Sequence, residues 1–193
     1  MTKPKAEAGR PRDPGIDAAI LAVARRHLAE RGYEGLSVSA VASEAGTTRQ
    51  ALYRRHPSKA DLATAAIAGM RRETDAVPGG TLADLTAELE AFRRGISRPD
   101  GISMVGTMLQ RTTDPQLLAL FRRRVVAPRR KRLRAILTAA RDAGALDADA
   151  DIDIAASMLT GSWYAFALAG SRPPGDWAQR VARAVWRALG GQA

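Results

Sequence analysis

The chain has 193 residues and a formal net charge of +10, with 30 Lys and Arg against 20 Asp and Glu. That excess of cations favours polyanionic partners through phosphate contacts and counterion release. The absence of Cys excludes disulfides, thiolate nucleophiles and zinc–thiolate sites. Hydrophobic residues make up 46% and aromatic residues only 5%, so the core must come from Ala, Leu, Val and Ile. No β-branched alternating run appears, and the pattern predicts an all-α fold.

Residues 1–13 form a basic arm containing Pro and Gly, with Arg10 and Arg12 in a Gly-Arg-Pro-Arg sequence. Such arginines suit narrow, strongly negative A·T minor grooves; the alternative is a solubilising tail. The arm has no apolar h-region, so no secretory signal is expected, and the cytoplasm is the default location. Asp13 and Pro14 are a cap and a first helical position, and the first helix is expected to reach Arg31. Val38, Val41, Ala42 and Ala45 then give an apolar stripe at helical spacing. Ser37 is placed to cap that helix, and Gly46 to end it. Thr47 or Thr48 caps a further helix, expected over Arg49 to His56, in which Ala51 and Leu52 face inward. Pro57 stops it, and Ser58 with Asp61 starts the next, expected from Lys59 to Thr74.

The free face of the helix at Arg49 carries Arg49, Gln50, Arg54 and Arg55. Arg pairs bidentately with guanine and Gln with adenine, so this face suits a major groove. The plainer alternative is a solvated helix face.

Val77 to Gly80 is the clearest break in the chain. Thr81 and Asp84 make a capping box for a helix ending near Ser97. A helix over Ile102 to Arg111 follows. Asp114 and Pro115 start a long helix to Ala143, in which Pro128 should produce a kink. Its basic run, Arg122 to Arg134, is read first as a solvated face whose long stems cover apolar surface. Attraction of an anionic ligand or of nucleic acid is the second reading. Asp147, Asp149, Asp151 and Asp153 alternate as in a calcium loop, but the required Gly and terminal Glu are missing; helix capping is the better reading. The last helices are expected over Ile152 to Ala169 and Asp176 to Leu189. The most apolar stretch, Ile154 to Gly170, is slightly short for a membrane span and contains Ser157, Thr160 and Ser162. No membrane partner is expected.

The segment from residue 16 to 62 resembles the DNA-binding domain of the TetR-type transcriptional regulators. The resemblance rests on Ile16, Ile20, Val23, Leu28, Gly32 and Tyr33, on Leu36, Ser37, Val38, Val41, Ala42, Ala45 and Gly46, and on Thr47, Thr48, Leu52, Tyr53, Lys59 and Leu62. His56 departs from the pattern, standing where the family usually has an aromatic residue; Gln50 and Ala51 also depart. The resemblance implies a helix-turn-helix domain over 14–62 and a helical ligand-binding and dimerisation domain over 63–193. It implies double-stranded, palindromic operator DNA, a second copy of the chain and a small-molecule effector as partners. The DNA-facing set is then Arg10, Arg12, Ser37, Thr47, Thr48, Arg49, Gln50, Tyr53, Arg54 and Lys59, with Tyr53 and Lys59 at positions that contact phosphates in the family. Ligand-pocket candidates are Phe92, Ile96, Met104, Met108, Phe121, Met158, Trp163 and Tyr164, each of which also suits plain core. The candidate dimer face is Met158, Ser162, Phe166, Trp177, Val181, Val185 and Leu189.

The expected function is that of a ligand-released repressor. A non-specific architectural DNA-binding protein is the alternative, and an enzyme or carrier on the same fold a remote one. No phosphate loop, nucleotide fingerprint, esterase elbow or metalloprotease motif occurs. His27 and His56 are the only histidines, and His27 reads as a packing residue. No catalytic residue, metal or cofactor is expected.

Overall fold

A computed structural model describes residues 14–68, 79–98, 105–108 and 114–192. Every regular element among them is helical. Helix α1 (Pro14–Arg31) begins on Pro, whose fixed φ and missing N–H cost nothing at a first turn. Its Ile20, Val23, Ala24, His27 and Leu28 are buried. Helix α2 (Val38–Glu44) is capped by Ser37, which accepts from the Ala40 N–H at 3.3 Å. Helix α3 (Arg49–Arg55) is capped by Thr48, which accepts from the Ala51 N–H at 3.1 Å. Of the two candidate threonines, Thr48 is therefore the cap. Helix α4 (Lys59–Ala68) starts where Ser58 Oγ accepts from the Asp61 N–H at 3.0 Å. Its expected extension to Thr74 lies outside the described residues, as do Met104, Arg10 and Arg12.

Helix α5 (Leu82–Ile96) carries the full capping box of Thr81 and Asp84. Those hydrogen bonds hold the Asp84 carboxyl below its usual range, chiefly through the Thr81 hydroxyl. Residues 105–108 are helical, inside the segment expected at 102–111. Helix α6 (Pro115–Phe121) is capped by Asp114, which accepts from the Gln116 N–H at 2.8 Å. Helix α7 (Ala127–Asp142), α8 (Ile152–Leu168) and α9 (Trp177–Ala188) complete the chain. Asp151 caps α8 by accepting from the N–H groups of Asp153 and Ile154.

The kink expected at Pro128 is realised differently. A π-helical turn spans Arg122–Val126, directly ahead of the proline, and the Ala127 N–H donates to the Arg122 carbonyl. A proline in an α-helix lacks one N–H and crowds the carbonyl four residues back. The wider turn relieves that crowding and keeps the chain helical from α6 into α7.

Two apolar clusters form the core. The first joins α1 to α4, through residues such as Ile20, Leu28, Val41, Leu52 and Leu62, and takes in Leu117, Leu120 and Phe121 from α6. The second joins α5, α7, α8 and α9 around Leu89, Phe92, Leu137, Leu159, Trp163 and Trp177. Trp177 is 1% exposed and meets Trp163 edge-on, with ring centroids 5.0 Å apart.

Two glycines in left-handed backbone differ in what surrounds them. Gly46 (φ +68°) has open space where a Cβ would sit, whereas a Cβ on Gly80 (φ +72°) would stand 2.7 Å from the Ala140 backbone nitrogen on α7. Left-handed backbone costs an ordinary residue about 1–2 kcal/mol. Gly46→Ala should therefore lose about that much stability in urea denaturation, and Gly80→Ala clearly more, because α7 backbone must also move. Equal losses would mean that Gly80 is not pressed against α7.

Candidate nucleic-acid interface

The α2–turn–α3 unit is built by its caps and one buried leucine. Gly46 makes the turn: its left-handed backbone lets the Thr47 N–H return to the Ala42 carbonyl at 2.9 Å. Leu52, fully buried, is the anchor of α3. Because one face is committed to Leu52, the opposite face must meet solvent. Thr48, Arg49, Gln50 and Arg54 are exposed there, and Thr47 and Tyr53 are half-buried beside them. The Arg49 guanidinium lies 5.4 Å from the Tyr53 ring centroid, a cation–π contact that restrains both side chains. Helix α3 contains no acidic residue, so the only charges on that face are positive. Arg55 turns the other way and pairs with Asp17 of α1 at 2.5 Å.

Lys59 is held rather than free. Its Nζ donates to the Glu34 carbonyl at 2.9 Å and sits 4.7 Å from the Tyr33 ring centroid. The same Tyr33 donates its hydroxyl to Asp114 at 3.1 Å, the residue that caps α6. Burial, with the Asp114 carboxylate beside it, pushes the Tyr33 phenol far above its usual range. His27 is buried on α1, with Nε2 3.0 Å from Glu44 at the end of α2. That contact, reinforced by Arg26, holds the Glu44 carboxyl below its usual range.

His56 is the C-cap of α3. Its Nδ1 lies 3.0 Å from Asp61 Oδ2. Asp61 Oδ1 accepts from Arg124 Nη2 at 2.6 Å, and Arg124 Nη1 donates to the Asp61 carbonyl and to Thr64 Oγ1. Arg124 belongs to the π-turn, so this clasp joins the end of α3, the first turn of α4 and the α6–α7 segment. Neither Asp61 nor Arg124 stands out in the sequence as a site residue. The proline ahead of which the turn forms is the only signal for it.

The other candidate residues separate. Phe92, Ile96, Trp163 and Tyr164 meet in the second core cluster. Phe121 and Met108 belong to the first, and Met158 is 52% exposed. Within the candidate dimer face, Trp177 and Val185 are buried inside the protomer, Ser162 accepts from Trp177 Nε1 at 3.2 Å, and Phe166, Val181 and Leu189 are half-buried. The large apolar side chains that α8 leaves exposed are Ile154, Met158 and Leu168. Much of the basic run is paired: Arg130 and Arg134 with Asp153, Arg132 with Glu88, and Arg124 with Asp61. Among the described residues no helix is long and apolar enough to cross a membrane.

Residues 20–66 match the model of bacterial regulatory proteins of the tetR family, and residues 78–185 that of the tetracyclin repressor-like C-terminal domain. The chain belongs to the TetR family of transcriptional regulators. It is 33% identical to an HTH-type transcriptional regulator of Mycobacterium tuberculosis, over 86% of this chain and 85% of the relative. Its fold is similar to that of a TetR transcriptional regulator from Agrobacterium tumefaciens (TM-score 0.69, 22% identity, 92% and 93% of the two chains). It is also similar to the transcriptional regulator FadR from Bacillus subtilis, solved in complex with stearoyl-CoA (TM-score 0.62, 17% identity, 90% and 97%). The α2–turn–α3 unit lies in the helix-turn-helix of the family's DNA-binding domain.

Loss of the Thr48 cap should loosen α3. Thr48→Ala is expected to cost about 1 kcal/mol of stability, read by urea denaturation. A cost indistinguishable from zero would mean that the cap does not set the start of α3.

Proposed function

We propose that this chain is an effector-released repressor that reads a palindromic operator as a homodimer. The observation that carries the reading is the clasp of Arg124 on Asp61 and Thr64, because it ties the DNA-reading helices to the helical segment leading into the second core. Arg49 and Gln50 are the base-reading residues. Thr47, Thr48, Tyr53, Arg54 and the arm residues Arg10 and Arg12 grip the backbone or groove. Ser37 supports them through its cap, and Lys59 adds positive charge close to the DNA from its seat on Tyr33. An effector in the C-terminal domain shifts α4 through the clasp, which changes the separation of the two recognition helices. By linkage, operator DNA weakens effector binding by the same factor. DNA as the partner places the protein in the cytoplasm.

The dimer reading draws on the exposed face of α8. Ile154, Met158 and Leu168 are 58%, 52% and 81% exposed. They lie four and fourteen residues along one helix, so they share a face. An apolar stripe of this kind marks an interaction surface. The half-buried Phe166, Val181 and Leu189 extend it from α8 and α9.

Binding to labelled DNA from upstream of the protein's own gene, against scrambled DNA of equal composition across a salt series, tests the reading. A preference for the upstream DNA that survives near-physiological salt is expected, and Arg49→Ala should relax it by about 1–3 kcal/mol at the guanine it reads. Equal binding to both DNAs, also after selection from a random library, would refute sequence-specific repression. Arg124→Gln should leave the fold intact, by its melting transition, and weaken operator binding about tenfold, since hydrogen bonds to charged groups contribute about 1.5–3 kcal/mol. Unchanged operator affinity in that variant would remove the clasp from the mechanism.

A further inference from the structure

The cations of α3 and of the first position of α4 differ in what holds them. Arg55 pairs with Asp17 and donates to the Ala51 carbonyl. Lys59 donates to the Glu34 carbonyl. Arg54 is exposed, with no hydrogen bond, ion pair or ring against it among the described residues. Arg49 stands between these cases. It is exposed, and its one hold among the described residues is the Tyr53 ring, whose centroid lies 5.4 Å from the guanidinium carbon. No acceptor there takes any of its N–H groups. Arg49 is also the first residue of α3, where the helix dipole favours an acid rather than a cation. Local helix stability therefore gives no reason for an arginine at this place. Tyr53 stands at i+4, the spacing that brings two side chains of one helix together. Its ring is half-buried and packs against the first core, next in sequence to the fully buried Leu52. It is thus a fixed platform under a cation that nothing else restrains.

A guanidinium carries its five N–H donors in its own plane, and an aromatic ring attracts it through the ring face. The contact with Tyr53 therefore limits the rotamers of Arg49 without taking a donor. An ion pair like that of Arg55 would limit them by occupying the fork that a base needs. We propose that Tyr53 is a positioning residue for sequence reading: its ring holds Arg49 so that the free fork meets O6 and N7 of a guanine in the major groove. The proposal rests on the reading of Arg49 as a base-reading residue, and it gives Tyr53 a role separate from any grip of its hydroxyl on a phosphate. Restricting Arg49 before DNA arrives lowers the ordering cost of the bidentate pair. The gain falls on the sequence-dependent part of binding. A freely rotating arginine can follow any nearby phosphate, whereas a held one pairs only where a guanine stands.

Selection from a random duplex library by the full chain, with sequencing of the bound fraction, tests this without a known operator. The base pair whose preference fades in Arg49→Ala is the one that Arg49 reads. Tyr53→Leu, checked for folding by its melting transition, should reduce the preference at that base pair about two- to fivefold, the contribution of an exposed cation–π contact. The other positions should keep their preferences. In the Arg49→Ala background the same substitution should have no further effect at that base pair. Tyr53→Phe keeps the ring and should keep the preference; a uniform loss of affinity in it belongs to the hydroxyl alone. Tyr53→Met takes the place of the leucine variant should that one not melt cooperatively. Loss of preference at every position alike in Tyr53→Leu would make Tyr53 merely structural. No loss at the base pair of Arg49, or an equal loss there in Tyr53→Phe, would also overturn the proposal. Failure of the underlying reading looks different. A wild-type chain that enriches no sequence, or an Arg49→Ala variant with wild-type preferences, refutes base reading by Arg49 and the positioning role with it. A preference that depends on Arg49 but not on Tyr53 leaves that reading standing and removes only the positioning role.

Discussion

The arrangement of the molecule depends on Asp61. Its backbone N–H closes the first turn of α4 on Ser58, one carboxylate oxygen holds Arg124, and the other meets His56 at the end of α3. Burying a polar group costs free energy unless hydrogen bonds compensate it, and these partners supply that compensation. Its two partners come from opposite sides, one from the helix-turn-helix and one from the π-turn. The satisfaction of a single side chain therefore fixes how two segments 60 and more residues apart in sequence sit together. Tyr33, donating to Asp114, adds a second tie from the α1–α2 turn to the start of α6.

These ties explain why α6 packs where it does. Leu117, Leu120 and Phe121 are buried against the first core, although the helix continues into α7, whose Leu133, Ile136 and Leu137 belong to the second. One continuous helical path thus serves two cores. A straight α-helix keeps one stripe in register along its length, whereas a π-turn adds a residue and rotates the stripe that follows. The turn at Arg122–Val126 falls between Phe121, the last buried residue of the first core, and Leu133, the first residue of this path buried in the second. It also carries the arginine that reaches α4, which places the change of register and the interhelical clasp within one turn.

The helix starts and the helix-turn-helix turn were legible because their signals are local. Ser37, Thr48, Ser58, Thr81, Asp114 and Asp151 act as caps within three residues of where they stand, and Gly46 takes the left-handed backbone that its place after an apolar stripe requires. The long-range partners were not legible. Nothing within a few residues of Arg124 distinguishes it from Arg122 or Arg123, and only the folded chain puts Asp61 beside it. The basic run reads in sequence as a solvated face, yet several of its arginines are paired across helices. The apolar stripes of α8 and α9 were visible, but periodicity cannot say which side of an apolar helix a protomer keeps for itself. Trp177 and Val185 went to the interior, and Ile154 and Leu168 were left outside. At His56, which departs from the aromatic pattern of the family, the ring meets Asp61 in a contact that a phenyl ring would leave unmade and that only the folded chain reveals.

The size of the clasp bears on how a regulator of this kind can work. Coupling between an effector and an operator site is typically about 1–3 kcal/mol. Hydrogen bonds to charged groups contribute about 1.5–3 kcal/mol each, before the discount for partial exposure. Arg124 is 31% and Asp61 15% exposed at the side chain, so the bond between their side chains alone falls within the same range as the coupling it would have to carry. A fully buried pair would hold α4 too firmly for a small ligand to shift, because losing one partner there costs about 3–5 kcal/mol. A fully exposed pair would be worth about 0.2–1 kcal/mol and would transmit little. At the half-buried position of Arg124, under the proposed mechanism, a modest difference in ligand affinity between two arrangements would suffice to move the recognition helix.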